Sequence, residues 1–370
     1  MRYRAFQSRA NISLIEQENA DQRRQILLLL EHSFGEAFPK RLFDWKHMQR
    51  PSGKGENLLM IENGKVVGHW GLSPVMYKIG PDVVRAHVAS DIAIDRQTYG
   101  RIEASKRLMH IGRMVYRLIE ARGGIFGFGF PNTNSLFLGI KRLSWSPLLC
   151  MMNLAYFLRI GPFINKKLHS RILTSVIGLF YAIAIRVGIY ARYVDLWPSW
   201  GRKVRLVDSF DERADTFWKE VSRKLKNCVV RDSAYLNWRF CSRDNPQYKV
   251  FVAERKGEMI GYIAVRFKRT DEGVREALIA DLLVKDHNPF AASHLILTVM
   301  RYALRERCHV VRTWCLRHSS YYLYFRAVGF LKRKSLIHFC LRPFTRNPVV
   351  AARVMKPQDW HIMMSDSDSV

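Results

Sequence analysis

The feature that most constrains this chain is that it repeats itself. Phe43-Asp44-Trp45-Lys46, Pro51 and LLMIENGKVVGHWGL (Leu58 to Leu72) run parallel to Tyr235-Leu236-Asn237-Trp238-Arg239, Pro246 and VFVAERKGEMIGYIAV (Val250 to Val265). Trp45 and Trp238, Gly64 and Gly257, and Gly68 and Gly261 share one offset. Two further blocks follow in the same order. SDIAI (Ser90 to Ile94) matches ADLLV (Ala280 to Val284), and NSLFLGIKRLSW (Asn134 to Trp145) matches SSYYLYFRAVGF (Ser319 to Phe330). A unit that recurs with its blocks in order is a folding unit, so the fold is decided by what one copy can build.

Each copy places an apolar run before a polar-glycine turn (Asn63-Gly64; Lys256-Gly257) and another after it, the signature of a hairpin. An aspartate-bearing alternating strand follows, then a helical stretch from Glu103 to Arg122 or from Ala291 to Arg307. The unit reads helix, long hairpin, strand, helix, strand, helix, strand. The fold class is therefore α/β (α+β), two domains with mixed, mostly antiparallel sheets flanked by helices. We expect a first domain over 1–150, a basic and partly apolar helical linker over 151–204, a second domain over 205–345 and a tail over 346–370.

A length of 370 residues suits two cores better than one. The charge is unusual: 60 Lys and Arg against 32 Asp and Glu give +28, which favours anionic partners, among them nucleic acid, acidic lipid, acidic glycan and a phosphorylated cofactor. Six cysteines (Cys150, Cys228, Cys241, Cys308, Cys315, Cys340) form no C-x-x-C pair, so neither a metal site nor a disulfide framework is expected. The first residues, MRYRAFQSRANISLIEQ, lack an apolar core and do not read as a secretory signal. A cytoplasmic location follows as the expectation.

The strand SDIAI leads into Gln97-Thr98-Tyr99-Gly100-Arg101-Ile102 and then a long helix. This order resembles the GNAT superfamily of acyl-CoA-dependent N-acyltransferases, whose loop pattern is Gln/Arg-x-x-Gly-x-Gly/Ala. Gln97 and Gly100 fit the pattern and Ile102 departs from it. The family's closing helix ends in Gly-Phe, matched by Gly329-Phe330 and loosely by Ser144-Trp145. YLNWRF with a downstream proline is similar to tandem GNAT proteins of bacterial cell-surface polysaccharide loci.

The resemblance implies acetyl-CoA, or another acyl-CoA, as co-substrate. Ile92, Ala93 and Ile94 would hold the pantetheine and polarise the thioester, and Gln97, Thr98, Tyr99, Gly100, Arg101 and Ile102 would hold the pyrophosphate. A turn feeding a helix N-terminus suits a pyrophosphate on physical grounds as well, with Arg101, Lys106 and Arg107 adding charge. The second copy has Lys285-Asp286-His287-Asn288-Pro289-Phe290 in place of the loop, without glycine and with a proline that removes a donor, so the cofactor is assigned to the first copy.

For the base that deprotonates the amine, Asp91 is the first candidate and Glu103 the second, although Asp281 in the same place of the second copy favours a structural role for Asp91. The tyrosine that many family members use as the acid falls on Ile140 and Phe325, neither of which donates a proton. Tyr324 points elsewhere on its helix, which leaves Ser135 as the better-placed hydroxyl. His87 and His110 read as ordinary surface or core histidines, and GGIFGFGFPN (Gly123 to Asn132) as a close-packed strand.

Residues 155–205 hold nine Lys and Arg and one acid, Asp195, around ILTSVIGLFYAIAI (Ile172 to Ile185). Fourteen residues fall short of the roughly 20 that span a bilayer, leaving a packed connecting helix or an interfacial helix on the inner face of the membrane. Three functions compete. They are acyl transfer to a primary amine such as an amino sugar, a silent tandem protein that binds a membrane or polysaccharide-synthesis partner, and nucleic-acid binding, for which no base-reading motif is present.

Overall fold

A computed structural model describes residues 11–15, 19–168, 171–195, 202–245 and 248–367. Most of the N-terminal stretch discussed above and Pro246 of the repeat lie outside the described residues. The described chain divides into two compact units. The first comprises Met1–Leu149, Asn227–Val230 and Leu336–Asp359, and the second Cys150–Lys226, Arg231–Ser335 and Trp360–Val370.

The chain order begins β1 (Asn11–Ile15), α1 (Ala20–Phe34), α2 (Lys40–Met48), β2 (Glu56–Glu62), β3 (Lys65–Ile79), β4 (Asp82–Ile94), α3 (Arg96–Ala121), β5 (Phe126–Gly129), α4 (Thr133–Leu143) and β6 (Ser146–Cys150). It continues with β7 (Met152–Phe157), α5 (Gly161–Leu168), α6 (Arg171–Asp195), β8 (Arg202–Val207), α7 (Arg213–Ser222), β9 (Asn227–Val229) and α8 (Ser233–Leu236). The last elements are β10 (Tyr248–Arg255), β11 (Glu258–Arg269), β12 (Arg275–Val284), α9 (Pro289–Arg305), β13 (Val310–Cys315), α10 (Ser320–Val328), β14 (Leu331–Arg333), β15 (His338–Pro343) and α11 (Pro348–Val354).

Local chemistry explains the boundaries. Asn19 and Gln22 form a reciprocal capping box at the start of α1, and Gly35 ends it in the left-handed conformation. The hairpin turns have positive φ at both central residues, 49° and 76° at Asn63-Gly64 and 51° and 83° at Lys256-Gly257. That is the geometry whose twist matches the flanking strands. The two halves of the repeat thus share their turn type as well as their sequence.

The first sheet runs β1-β2-β3-β4-β5-β15-β6, with β9 paired beside β3, and the second runs β14-β7-β13-β12-β11-β10-β8. The pairs β4/β5 and β12/β13 are parallel, and the neighbours that flank them are antiparallel. Both domains are mixed, mostly antiparallel sheets flanked by helices. In the first unit, alternate residues of β2 feed opposite faces. Leu58 and Met60 pack with Trp70, Ile111 and Val115 under α3, while Leu59 packs with Ile26, Leu30 and Phe43 under α1 and α2.

The sheets exchange their late strands. β7, which follows the first copy, pairs with β13 and β14 of the second sheet, and β15, which follows the second copy, pairs with β5 of the first. The expected helical linker over 151–204 therefore opens with β7 and closes in β8, and among the described residues between them α5 and α6 are the helices. The expected tail over 346–370 is likewise divided. α11 belongs to the first unit, where Arg353 lies 3.1 Å from Asp82, whereas Trp360, Ile362, Met363 and Met364 are buried in the second. Composition cannot reveal such an exchange, because a strand that serves one sheet reads the same when it serves the other.

Candidate functional site

β4 carries a bulge where the resemblance places the acyl-binding strand. Against β3, His69 pairs with Ala93 and Gly71 with Ser90, so β4 holds one extra residue there, and Asp91 takes φ 51°. On its other edge β4 pairs with β5 only at His87–Gly127 and Val88–Phe128. Beyond Val88 the two parallel strands part, and Ile92–Ile94 run along the opening.

A cleft of about 650 Å³ occupies this place, wholly within the first unit. Ile92, Ala93 and Ile94 line it, together with Gln97 and Thr98 of the loop, Ala104 and Leu108 of α3, and Ser135 and Leu138 of α4. α1 lines it as well, through Gln25, Leu28, Leu29, His32 and Phe34. Of the residues singled out from sequence, Ile92, Ala93, Ile94, Gln97, Thr98 and Ser135 come together here. Asp91, Tyr99, Gly100, Arg101, Ile102 and Glu103 are not among the lining residues. The α1 wall escaped sequence reasoning, because nothing in Ala20 to Phe34 beyond helical periodicity distinguishes a helix lining a cleft from one covering a core.

The loop is built differently from the simple expectation. Asp95 caps its first turn, accepting from the Gln97 and Thr98 amides at 3.1 Å each and from the Thr98 hydroxyl at 2.7 Å. These two amides are thus already engaged by an anion. Gly100, at φ 65° and ψ 176°, breaks the helix, and a second helix starts after it. An anion at this loop would meet the first-turn amides of that second helix, which lack intrahelical acceptors. Tyr99 is turned aside, its hydroxyl bonded to Glu62 and its ring under the Arg107 guanidinium at 3.8 Å. Ile102, the departure from the loop pattern, is 77% exposed.

Asp91 and Glu103, the two carboxylates considered as bases, both have cationic neighbours and neither lines the cleft. The Asp91 carboxylate is buried, 2.6 Å from Lys46 Nζ and 2.7 Å from His47 Nε2. Burial opposes its ionisation, yet Lys46 and His47 hold it well below the usual carboxylate range, which leaves it a poor proton acceptor. Its backbone carbonyl accepts from His69 Nδ1 at 2.6 Å, and burial followed by the neighbouring His47 pushes the His69 imidazole down to about 4. The cluster pins the bulge from beneath. Glu103 lies on the outer side of α3, 3.4 Å from both Lys106 and Arg107.

The acid is likewise missing where the closing helix would supply it. Ile140 is partly exposed, Phe325 is buried, and the Tyr324 hydroxyl donates to the His287 carbonyl. The helices themselves close alike, with Ser144 (φ 55°) and Gly329 (φ 108°) in left-handed caps, so the Ser-Trp and Gly-Phe endings are one structural device.

The second unit has the same parting of strands and fills it. β12 and β13 pair only from Glu276–Val310 to Leu278–Arg312, after which Cys315 bridges to Met363 of the C-terminal segment. Arg231, fully buried, joins Asp281 (2.9 Å) to Asp366 (2.9 Å) of that segment, and Tyr262 donates to Asp281 at 2.7 Å. The Leu282 amide donates to Asp281 and the Val284 amide to the Tyr321 hydroxyl, both at 3.1 Å. Residues equivalent to Ile92 and Ile94 are thus spent on internal bonds. Asp281 has the structural role that the repeat suggested for this position in both copies.

No protein-family model and no curated sequence matches the chain. Solved structures do. A GCN5-related N-acetyltransferase from Anabaena variabilis superimposes with a TM-score of 0.59 at 12% identity, covering 90% of this chain and 73% of its own. Saccharomyces cerevisiae N-myristoyltransferase, crystallised with bound myristoyl-CoA, gives a TM-score of 0.63 at 12% identity over 99% of this chain and 87% of its own. A probable N-acyltransferase from Enterococcus faecalis gives 0.60 at 8% identity over 90% and 73%. The fold of this chain is that of the GNAT N-acyltransferases, present in two copies.

Proposed function

We propose that this chain is an acyl-CoA-dependent N-acyltransferase working from its first unit. The observation that carries this reading is the cleft of about 650 Å³ along Ile92–Ile94, at the splay that the second unit fills with its own C-terminal segment. The fold neighbours are N-acyltransferases, one of them holding myristoyl-CoA, which supports an acyl-CoA as co-substrate here.

In this reading the pantetheine lies along Ile92–Ile94, and strand amides polarise the thioester carbonyl. The pyrophosphate sits at Gly100–Ile102 with Arg101 and Lys106 nearby. His32, which lines the cleft, is assigned as the base that takes the proton of the attacking amine, and Ser135, which also lines it, as the hydroxyl that protonates the departing thiolate. The amine nitrogen forms the amide bond as the carbon–sulfur bond breaks, and free CoA leaves. We assign the acceptor to primary amines, with an amino sugar or cell-surface glycan precursor as the finer reading, and the reaction to the cytoplasm.

Calorimetric titration with acetyl-CoA tests the reading. Saturable binding that Gly100→Trp abolishes in a folded protein supports it, and no binding by the folded wild type overturns it. His32→Gln would then lower kcat, reshape its pH profile and leave acetyl-CoA affinity unchanged. A second reading, a protein that binds acyl-CoA without transferring it, is favoured by Ile140 at the position of the usual acid. Release of free thiol with a panel of amines separates the two.

A further inference from the structure

Among the described residues, exposed large apolar side chains gather along one side of α6. Its stretch Ser175–Tyr193 is 19 residues, long and apolar enough to cross a membrane by length and composition, and almost none of it is buried. The 14-residue limit read from sequence ended at Arg186, but the helix runs through that residue to Asp195.

The two sides of α6 differ. Along one side the helix is held to the second unit: Ile189 is 1% exposed, the Tyr181 hydroxyl donates to the Phe157 carbonyl at 2.8 Å, and Arg192 donates to the Val328 carbonyl. Tyr193 lies 3.2 Å from His294, with the Arg301 guanidinium 3.9 Å over its ring. The opposite side presents Val176, Leu179, Phe180, Ile183 and Val187 at three- and four-residue spacing, with Leu179, Phe180 and Val187 61%, 69% and 62% exposed. The single charge between Val176 and Val187 is Arg186, which helical geometry places at the margin of this stripe. A contiguous apolar stripe of this kind marks an interaction surface.

We propose that α6 seats the protein on an anionic membrane, lying in the plane of the bilayer with the stripe from Val176 to Val187 among the acyl chains. Charge selects the occupant. Nine Lys and Arg against one acid over 155–205, within a chain of net +28, attract anionic headgroups and repel a second copy of the same chain. Packing selects the orientation, because a crossing helix would have to surrender the contacts of Tyr181, Ile189 and Tyr193, whereas an in-plane helix keeps them on its upper side. The proposal uses no residue of the cleft and stands independently of the acyl-transfer reading.

Flotation of the full chain with vesicles tests it. The protein should float with vesicles of phosphatidylcholine and phosphatidylglycerol and much less with phosphatidylcholine alone. The triple variant Leu179→Asn, Phe180→Asn, Ile183→Asn should lower partitioning about 10-fold or more, because the apolar contribution is lost while the charge remains. Its thermal unfolding should match the wild type, since these side chains already face water. Spin labels at Val176→Cys and Val187→Cys should report equal depth, whereas a crossing helix would separate them by roughly 16 Å. No flotation, flotation indifferent to the triple variant, unequal depths, or dimerisation through α6 in lipid-free solution would each overturn the proposal.

Discussion

Replacing Lys46 by Met isolates what holds the β4 bulge. Lys46 Nζ lies 2.6 Å from a buried Asp91 carboxylate. At that separation and an effective dielectric near 20 the gross attraction is about 6 kcal/mol, most of it offset by desolvation. Met has similar length and no charge, so the variant leaves Asp91 buried without its lysine and with the His47 ring as its remaining hydrogen-bond neighbour. Removing one member of a buried pair costs about 3–5 kcal/mol, and this is the expected loss in urea unfolding at neutral pH.

Two further measurements sharpen the test. The double variant Lys46→Met, Asp91→Asn should exceed the single Lys46→Met variant in stability by at least about 1 kcal/mol, because the orphaned charge is gone. Asp91 has a depressed folded-state pKa in the wild type, so its contribution is present above the unfolded value and is lost as pH falls. The gap between wild type and Lys46→Met should therefore narrow below about pH 4. A Lys46→Met variant within about 0.5 kcal/mol of wild type at neutral pH would refute this account of Asp91.

Other outcomes follow from the same geometry. Gly100 sits at φ 65°, ψ 176° with no atom near an added Cβ, so Gly100→Ala meets backbone strain alone, about 1–3 kcal/mol; acetyl-CoA affinity should fall roughly 5- to 150-fold by calorimetry, while Ile102→Ala leaves it unchanged. His69 is neutral in the folded chain with a pKa near 4 against an ordinary 6.5, so unfolding takes up a proton and stability falls as pH drops through that window. The expected loss is about 3 kcal/mol, and His69→Gln should remove this share of the acid-side slope in a stability profile. A chain ending at Ser335 lacks β15 and the buried Trp360–Asp366 segment, and so exposes Phe128 and Phe130 of the first unit, which Phe339 covers, and leaves Arg231 without Asp366. It should lose cooperative thermal unfolding, and a sharp wild-type transition would show that the strand exchange is dispensable.

Several elements were legible because their causes are local. The duplication, the two hairpins and the aspartate-bearing strands are written in turn residues and alternation, and neither needs a distant partner to be read. Gly100 was legible as a turn residue for the same reason, since the conformation it adopts is open to glycine almost alone. Ile92, Ala93, Ile94, Gln97 and Thr98, which line the cleft, were singled out through a motif whose spacing survives even though Ile102 departs from it.

What tertiary structure alone decided was where side chains face and which sheet a strand joins. Asp91 looked like a base on the strand that delivers the acyl group, but the bulge turns its carboxylate onto Lys46 and His47, 45 and 44 residues away. Glu103 sits on the far side of its helix, and His32 reaches the cleft from α1, facts set by helix orientation in space. The exchange of β7 and β15 and the filling of the second cleft by Trp360–Asp366 join residues distant in sequence. Sequence pattern records how polar a residue's surroundings must be and which backbone angles it tolerates. It does not record which remote segment supplies those surroundings, and in this chain that choice leaves an open cleft at the splay of one copy and seats the C-terminal segment at the splay of the other.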